Sequence, residues 1–234
     1  DNMKITKIEV FHCNAGWRPW TFIKISTDNG LIGWSECTDS HGSPLGIEGV
    51  VKDIEPLLVG QDTRDVERLY WLMYSRTRQS VGSIIQKAIG GIENAMLDIK
   101  AKALGVPVYE LFGGAVRKEI PLYWSHCGDT RVRYSKLIGK PQIKSREDLL
   151  AFGKEIKASG FRAVKSKLVI FGENPSVYMP GFARSSGWPE LNLDGKMLGQ
   201  FEEWVSTFRE AIGNDINLII DLNFNFKTEG FIKL

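Results

Sequence analysis

The protein has 234 residues, of which 43% are hydrophobic and 25% are charged, and its formal net charge is +2. The near-balance of basic and acidic residues argues against a nucleic-acid-binding protein, which would show a clear basic excess. No stretch approaches the roughly 18 consecutive apolar residues of a membrane span, and the first residues lack the apolar core of a signal peptide. The three cysteines form no Cys-x-x-Cys pair, so we expect neither a disulfide framework nor a zinc site. These features predict a cytoplasmic globular protein with no nucleic-acid or membrane partner.

The N-terminal part is predicted to form three antiparallel strands followed by three helices. Polar and apolar residues alternate in the segments where strands are expected, with the period of half-buried strands. Asp28-Asn29-Gly30 predicts a hairpin turn, because Asn and Gly tolerate positive φ. Apolar residues then recur at helical spacing. The predicted strands are 4–11, 21–26 and 31–36, and the predicted helices are 47–58, 65–78 and 83–103.

The pattern changes near residue 116, which places a domain boundary between 1–115 and 116–234. Strand patterns now alternate with helical ones, and this order predicts a parallel sheet with right-handed crossovers. The predicted strands are 120–127, 163–170 and 217–222, with helices beginning after the capping sequence at 145–148 and near 197, and a last helix near 228. A complete eight-stranded barrel takes about 250 residues. A barrel that begins at residue 120 is therefore expected to be incomplete in this chain.

Two lysines two residues apart are the first candidate for chemistry. Lys165 and Lys167 lie in a predicted strand, where residues two apart face the same side. Two ammonium groups held close repel each other, so one loses its proton more easily and can act as a base near neutral pH. Two solvated lysines on an exposed strand are the alternative that the spacing leaves open.

Asp221 and Asn223 are the second candidate. They follow a run of aliphatic residues and share a face of the third predicted strand. In parallel α/β folds, ligands bind outside the carboxyl ends of the strands, and an Asp oxygen suits Mg²⁺. An Asp that caps a loop or the next helix is an equally open interpretation of this spacing.

Together these segments resemble the enolase superfamily, specifically its mandelate racemase/muconate lactonizing branch. The N-terminal strands and helices are similar to its capping domain, and 95–114 resembles its signature helix and the turn that leads into the barrel. Lys165-Ser166-Lys167 matches its KxK motif, and Asp221-Leu222-Asn223 with Phe226 is similar to its DxNxxW motif, with Phe in place of Trp. The implied fold is α/β: an α+β capping domain followed by the first three βα units of a truncated TIM-like barrel.

The resemblance implies an enzyme that abstracts the proton α to a carboxylate, with Mg²⁺ stabilising the enediolate. Lys167 would be the base, and Lys165 would lower its pKa and attract the substrate carboxylate. Asp221 would be the first metal ligand, and Asn223 a polar contact to substrate. We expect a homo-oligomeric enzyme that dehydrates a small carboxylic acid, namely an acid sugar. Racemisation or epimerisation is the second choice, and cycloisomerisation the third.

Loops of the capping domain close over the barrel in this family, so they are candidate specificity loops. Trp17 and Arg18 in one such loop and His41 in another could contact substrate, or they could be ordinary surface residues. The long segment 171–194 is expected to overhang the same opening. His126 is expected to be a structural residue near the site.

The resemblance also predicts a limit on this chain by itself. The family takes its second and third metal carboxylates from barrel strands four and five, which have no counterpart here. We therefore expect the 234 residues alone to be inactive, to bind Mg²⁺ weakly and to associate through open strand edges. Two rival interpretations are a non-catalytic module on the same scaffold and a Schiff-base aldolase.

Overall fold

The computed structural model describes residues 3–39, 42–80, 82–180, 193–223 and 225–234. The chain divides into two compact units, Asp1–Lys118 and Glu119–Leu234. In the described part of the chain, no helix combines the length and apolar character needed to cross a bilayer.

The first unit contains an antiparallel three-stranded sheet and three helices, as the sequence predicts. The elements are β1 (Ile5–Asn14), β2 (Pro19–Thr27), β3 (Ile32–Glu36), α1 (Pro44–Leu58), α2 (Val66–Thr77) and α3 (Ser83–Leu104). The strands lie in the order β1-β2-β3, and Gly30 occupies the β2–β3 turn with a φ of 85°. Alternation on β2 is strict, because Ile23 and Ile25 are fully buried while Phe22 and Lys24 on the other face are half-buried.

Helix α3 packs closely against the sheet because small residues line the contact. A Cβ atom on Gly91 would lie 2.8 Å from the Cβ atom of Cys37, and one on Gly33 would lie 2.1 Å from the carbonyl oxygen of Ala95. These approaches let large side chains of α3, such as Ile92, become fully buried in the core of the first unit.

The second unit contains a parallel pair of strands covered by two long helices. The elements are α4 (Asp129–Tyr134), α5 (Arg146–Ala158), β4 (Ala163–Ser166), β5 (Val169–Ile170), β6 (Ser176–Val177), α6 (Gly195–Ile212), β7 (Asn217–Ile220) and α7 (Thr228–Lys233). Strands β4 and β7 are parallel neighbours, with Val164 opposite Leu218, and β5 and β6 form a separate antiparallel pair. The core contains Val164, Trp204 and Phe208, all fully buried.

The capping sequence before α5 forms the predicted capping box. The Ser145 hydroxyl accepts a hydrogen bond from the backbone N–H of Asp148 at 3.4 Å, and the Asp148 carboxylate accepts one from the Ser145 N–H at 3.1 Å. Helices α5 and α6 then approach closely, since a Cβ atom on Gly153 would lie 2.5 Å from the carbonyl oxygen of Ala211.

Three strand predictions in the second unit are wrong in extent. The predicted strand 217–222 ends at Ile220, so Asp221 and Asn223 lie beyond the strand and do not share one of its faces. The predicted strand 120–127 is reduced to an isolated parallel bridge between Trp124 and Val164, in which the Lys165 N–H donates to the Trp124 carbonyl at 2.8 Å. The predicted strand 163–170 breaks after Ser166, and its last two residues pair with β6 instead. The alternation of polar and apolar residues continues through this break, because the sequence pattern does not depend on which neighbouring strand each residue pairs with.

Candidate active site

The carboxyl ends of β4 and β7 bring two predicted site residues to the same edge. Ser166 is opposite Ile220 in the last paired position, and the Asp221 N–H donates to the Ser166 carbonyl at 2.8 Å. Lys167 and Asp221 are therefore the first residues beyond the paired strands. This is the edge at which parallel α/β folds bind ligands.

Lys165 and Asp221 form an ion pair across this edge, with 3.3 Å between Nζ and Oδ2. The Lys165 ammonium also lies 5.5 Å from the centre of the Tyr123 ring. Burial lowers the pKa of Lys165, but the hydrogen bond and charge of Asp221, with help from Tyr123, outweigh it and raise the pKa above its usual value. Lys165 is therefore the member of the lysine pair that keeps its charge.

Asp221 is held as a carboxylate by its neighbours. Burial raises its pKa, but the backbone N–H of Asn223 and the Lys165 ammonium more than compensate, so the net pKa is lowered. The Asn223 N–H donates to Asp221 Oδ1 at 3.1 Å. Asn223 has a φ of 51°, a left-handed conformation that its short polar side chain tolerates. Its Nδ2 is buried and has no hydrogen-bond partner in the described part of the chain.

Lys167 is 7% exposed, which makes it the buried member of the pair. Burial is the main cause that lowers its pKa, and the charges of Arg133 and Lys165 act in the same direction. The carboxylates of Asp129 and Asp221 oppose the shift. From the spacing of the two lysines, their mutual repulsion is the expected cause of a lowered pKa. In the structure, burial is the largest cause and the charge of Lys165 is the smallest. An amine whose pKa is lowered in this way has the character of a base.

Residues that the sequence reasoning missed lie on α4, a helix that it did not predict. Asp129 is 1% exposed, and its Oδ2 lies 3.1 Å from Nδ1 of His126. The Arg133 guanidinium contacts the sulfur of Met179 at 3.3 Å, and Lys167 Nζ lies 3.7 Å from the same sulfur. The one signal that could have pointed to them is an acidic residue shortly after the end of a predicted strand.

The predicted specificity residues belong to other parts of the chain. Trp17 and Arg18 lie in the β1–β2 loop of the first unit, where the Arg18 guanidinium stacks 4.2 Å from the Trp17 ring centre and 4.6 Å from that of Trp20. His41 lies outside the described residues, as do residues 181–192 of the predicted overhanging segment. Their contacts with substrate stay predictions.

The described residues provide too few ligands for a magnesium ion. Asp221 is a suitable oxygen ligand, but Mg²⁺ demands near-octahedral coordination. Within residues 3–39, 42–80, 82–180, 193–223 and 225–234, no group of three or more His, Cys, Asp or Glu side chains could hold a metal ion. The described residues do not form a magnesium site by themselves, and Asp221 fits only as one ligand of a larger set.

Comparison with known proteins identifies the scaffold. Residues 8–113 match the family model of the mandelate racemase/muconate lactonizing enzyme N-terminal domain. A crystal structure from Burkholderia xenovorans, provisionally assigned as an L-alanine-DL-glutamate epimerase and bound to magnesium and fumarate, is 37% identical with a TM-score of 0.91 over 99% of this chain. The predicted resemblance to the enolase superfamily is confirmed. The first unit of this chain matches the N-terminal capping domain, and the second contains part of a barrel-like parallel sheet, so the predicted fold class is confirmed as well.

Other members of the superfamily also match. D-galactonate dehydratase of Verminephrobacter eiseniae is 39% identical over 127 residues, which is 54% of this chain and 32% of that protein. A provisionally assigned dehydratase from Zymomonas mobilis is 28% identical with a TM-score of 0.76 over 93% of this chain and 54% of its own. The chain covers 57% of the Burkholderia protein. It thus spans little more than half the length of these two solved relatives.

Proposed function

We propose that this chain supplies the general base and one metal-binding carboxylate of an enzyme that abstracts the proton α to a carboxylate of an acid sugar. The observation that supports the proposal is that the two lysines at this strand edge have opposite pKa shifts. Lys167 is buried with a lowered pKa, while Lys165 is held charged by Asp221. An amine that loses its proton more readily than an ordinary lysine, beside a fixed ammonium and a carboxylate, suits proton abstraction from an anionic substrate.

The proposed step moves one proton and one electron pair. The neutral amine of Lys167 takes the proton from the substrate α carbon and becomes an ammonium. The electron pair of the broken C–H bond moves into the substrate carboxylate, which becomes an enediolate. The Lys165 ammonium attracts the substrate carboxylate before the step and the added negative charge after it. The buried Nδ2 of Asn223 is a donor for a substrate oxygen.

Dehydration results if the electron pair of the enediolate forms a double bond to the β carbon and expels its hydroxyl group, which takes up the proton that Lys167 has accepted, or one from solvent, and leaves as water. A donor such as Asn223 Nδ2 suits a substrate that carries hydroxyl groups. The relatives named D-galactonate dehydratase support the same reaction class, at about two-fifths identity over half of this chain.

Epimerisation is the second candidate, because the Burkholderia epimerase matches almost the whole chain. In that reaction the enediolate regains a proton on the opposite face of the α carbon. The two candidate reactions share the first step and differ in the fate of the enediolate.

A substrate screen distinguishes the two reactions. The natural protein that contains this sequence is incubated with magnesium and a panel of acid sugars and N-acylated or dipeptide acids in deuterated water, and products are followed by proton NMR. We expect a 2-keto product from at least one acid sugar. Exchange and inversion at the α carbon without loss of water would support the epimerase, and absence of exchange with every acid would contradict α-proton abstraction.

A further inference from the structure

Asp129 is a buried carboxylate beside the proposed base to which the mechanism has so far given no role. It is the first residue of α4 and follows Gly128, which has a φ of 85°. One of its oxygens accepts the backbone N–H of Lys167 at 3.4 Å, and the other lies 3.1 Å from Nδ1 of His126. An ionised carboxylate can only accept hydrogen bonds, so this contact places a proton on Nδ1 of His126.

A role in capping α4 does not account for this carboxylate. The residue at the N-cap position is Gly128, and the helix has no side-chain capping hydrogen bond. Burying a carboxylate costs free energy unless its charge is compensated. The compensation here comes from His126 and from the neighbourhood of Lys167, which points to the base as the reason for its position.

Among the described residues, the charges that act on Lys167 come from three parts of the second unit. Asp129 and Arg133 face it from α4, Lys165 from β4, and Asp221 from the end of β7. Asp129 exerts the strongest electrostatic effect of these four groups, and it favours the charged amine. A lysine that acts as a base becomes an ammonium when it accepts the proton. In a buried site, this ammonium is stabilised by a nearby negative charge.

We propose that Asp129 is a positioning residue for Lys167, which fixes the backbone at the base and compensates the ammonium formed when the amine accepts the α proton. His126 holds this carboxylate in place through its other oxygen. The inference rests on the proposed role of Lys167 as the base, and it adds a residue pair that neither the KxK nor the DxN motif contains.

The direct test is the titration of Lys167 in the metal-free protein. The ε-methylene signals of labelled lysines are followed by NMR from neutral to alkaline pH, and the Lys167 signal is assigned by its loss in Lys167→Arg. We expect Asp129→Asn to move the Lys167 midpoint to lower pH by about one unit. Asp215→Asn, an exposed Asp before the opposite end of β7, is the matched control and is expected to leave the midpoint in place.

His126→Ala gives a second test if Asp129→Asn does not fold. His126 has a side chain about one-third exposed, so its truncation is expected to be tolerated. Losing this donor leaves the Asp129 charge less compensated, and we expect the Lys167 midpoint to move to higher pH. A midpoint that is unchanged in both folded variants, or that rises in Asp129→Asn, would overturn the inference.

Kinetics separates this inference from the proposed function. In the natural protein, Asp129→Asn is expected to lower kcat and shift the acid limb of its pH profile to lower pH, with KM little changed. Loss of exchange in Lys167→Ala together with an unshifted profile in Asp129→Asn would refute the positioning role and leave the base in place. Unchanged exchange in Lys167→Ala would refute the base itself.

Discussion

Lys165 and Asp221 are joined across the carboxyl ends of two parallel strands by an ion pair of 3.3 Å between Nζ and Oδ2. This ion pair affects both the charges and the side-chain positions in the candidate site. It keeps Lys165 charged through the raised pKa of that lysine, and it directs the carboxylate of Asp221 into the same edge where Lys167 is buried. The pair also predicts how the site responds when one member is removed.

Asp221→Asn is expected to lower the pKa of Lys165, because the partner that raises it is gone while burial continues to lower it. In the natural protein the same variant is expected to weaken magnesium binding, because a carboxylate ligand is replaced by a neutral amide. NMR titration of Lys165 and calorimetric magnesium titration measure the two effects. Equal magnesium affinity in Asp221→Asn would show that this residue is not a ligand.

Lys167→Met is expected to stabilise the protein at neutral pH. Since the folded-state pKa of Lys167 is lowered, the unfolded chain binds more protons between that pKa and the ordinary lysine value near 10.4. Stability therefore rises with pH through this window, and the full cost of burying the charge is present below it. Methionine has a similar volume and no charge, so the free energy of unfolding at pH 7 is expected to rise by about 1.4 kcal/mol for each unit by which the pKa of Lys167 is lowered.

Urea denaturation at pH 7 and at pH 10 measures this effect. The stabilisation by Lys167→Met is expected to shrink as pH rises. A variant less stable than the parent at pH 7 would contradict the assignment of Lys167 as a buried amine kept for function.

Two adjacent glycines of α3 are expected to respond in opposite directions to the same change. Gly91→Ala would place its Cβ atom 2.8 Å from both Cys37 and Ile23, and overpacking of this kind costs about 1–3 kcal/mol. Gly90 has nothing within 4 Å of its Cβ position, so Gly90→Ala is expected to stabilise the helix by about 1 kcal/mol. Urea denaturation of the two variants decides this, and equal effects would contradict the described packing of α3 on the sheet.

The 234-residue chain by itself is expected to associate through β7. Among the described strands, β7 pairs with β4 alone, and Ile219 on it is 40% exposed. Exposed strand edges of this kind pair with other chains, and a lysine on the edge opposes such pairing. Ile219→Lys is therefore expected to reduce the sedimentation coefficient at high concentration. Ile232→Lys, the same change at an exposed position on α7, should have no such effect.

A chain that sediments as a monomer at every concentration would contradict the expected association. The same preparation is expected to show only weak magnesium binding, because Asp221 lacks companion ligands in the described part of the chain. Stoichiometric magnesium binding by this chain would show that a complete site exists within it.

Elements set by local signals were predictable from sequence, and elements set by distant partners were not. Helix α5 follows from its capping box and its apolar face, both of which lie within a few residues of one another. The end of β4 at Ser166 depends on where β7 stops pairing, which no local pattern records. The motif pattern predicts Lys165 and Asp221 at one strand edge, and the structure joins them there by an ion pair. It could not reveal Asp129, whose contact with Lys167 joins residues 38 positions apart.

The cause of the lowered Lys167 pKa was also beyond the sequence. The spacing of Lys165 and Lys167 suggests mutual repulsion, but burial depends on how the whole second unit packs around the amine. The break after Ser166 gives the two lysines different surroundings: one is paired with a carboxylate, and the other is enclosed.

The exchange of the substrate α proton with solvent is the measurement that tests the proposed mechanism most directly. In the natural protein containing this chain, an acid sugar identified by the screen is incubated with magnesium in deuterated water, and deuterium incorporation is followed by NMR. We expect Lys167→Ala to abolish exchange, while Lys154→Ala, which removes an exposed lysine on α5, leaves it unchanged. Exchange at the parental rate in folded Lys167→Ala would contradict the central claim that Lys167 is the base.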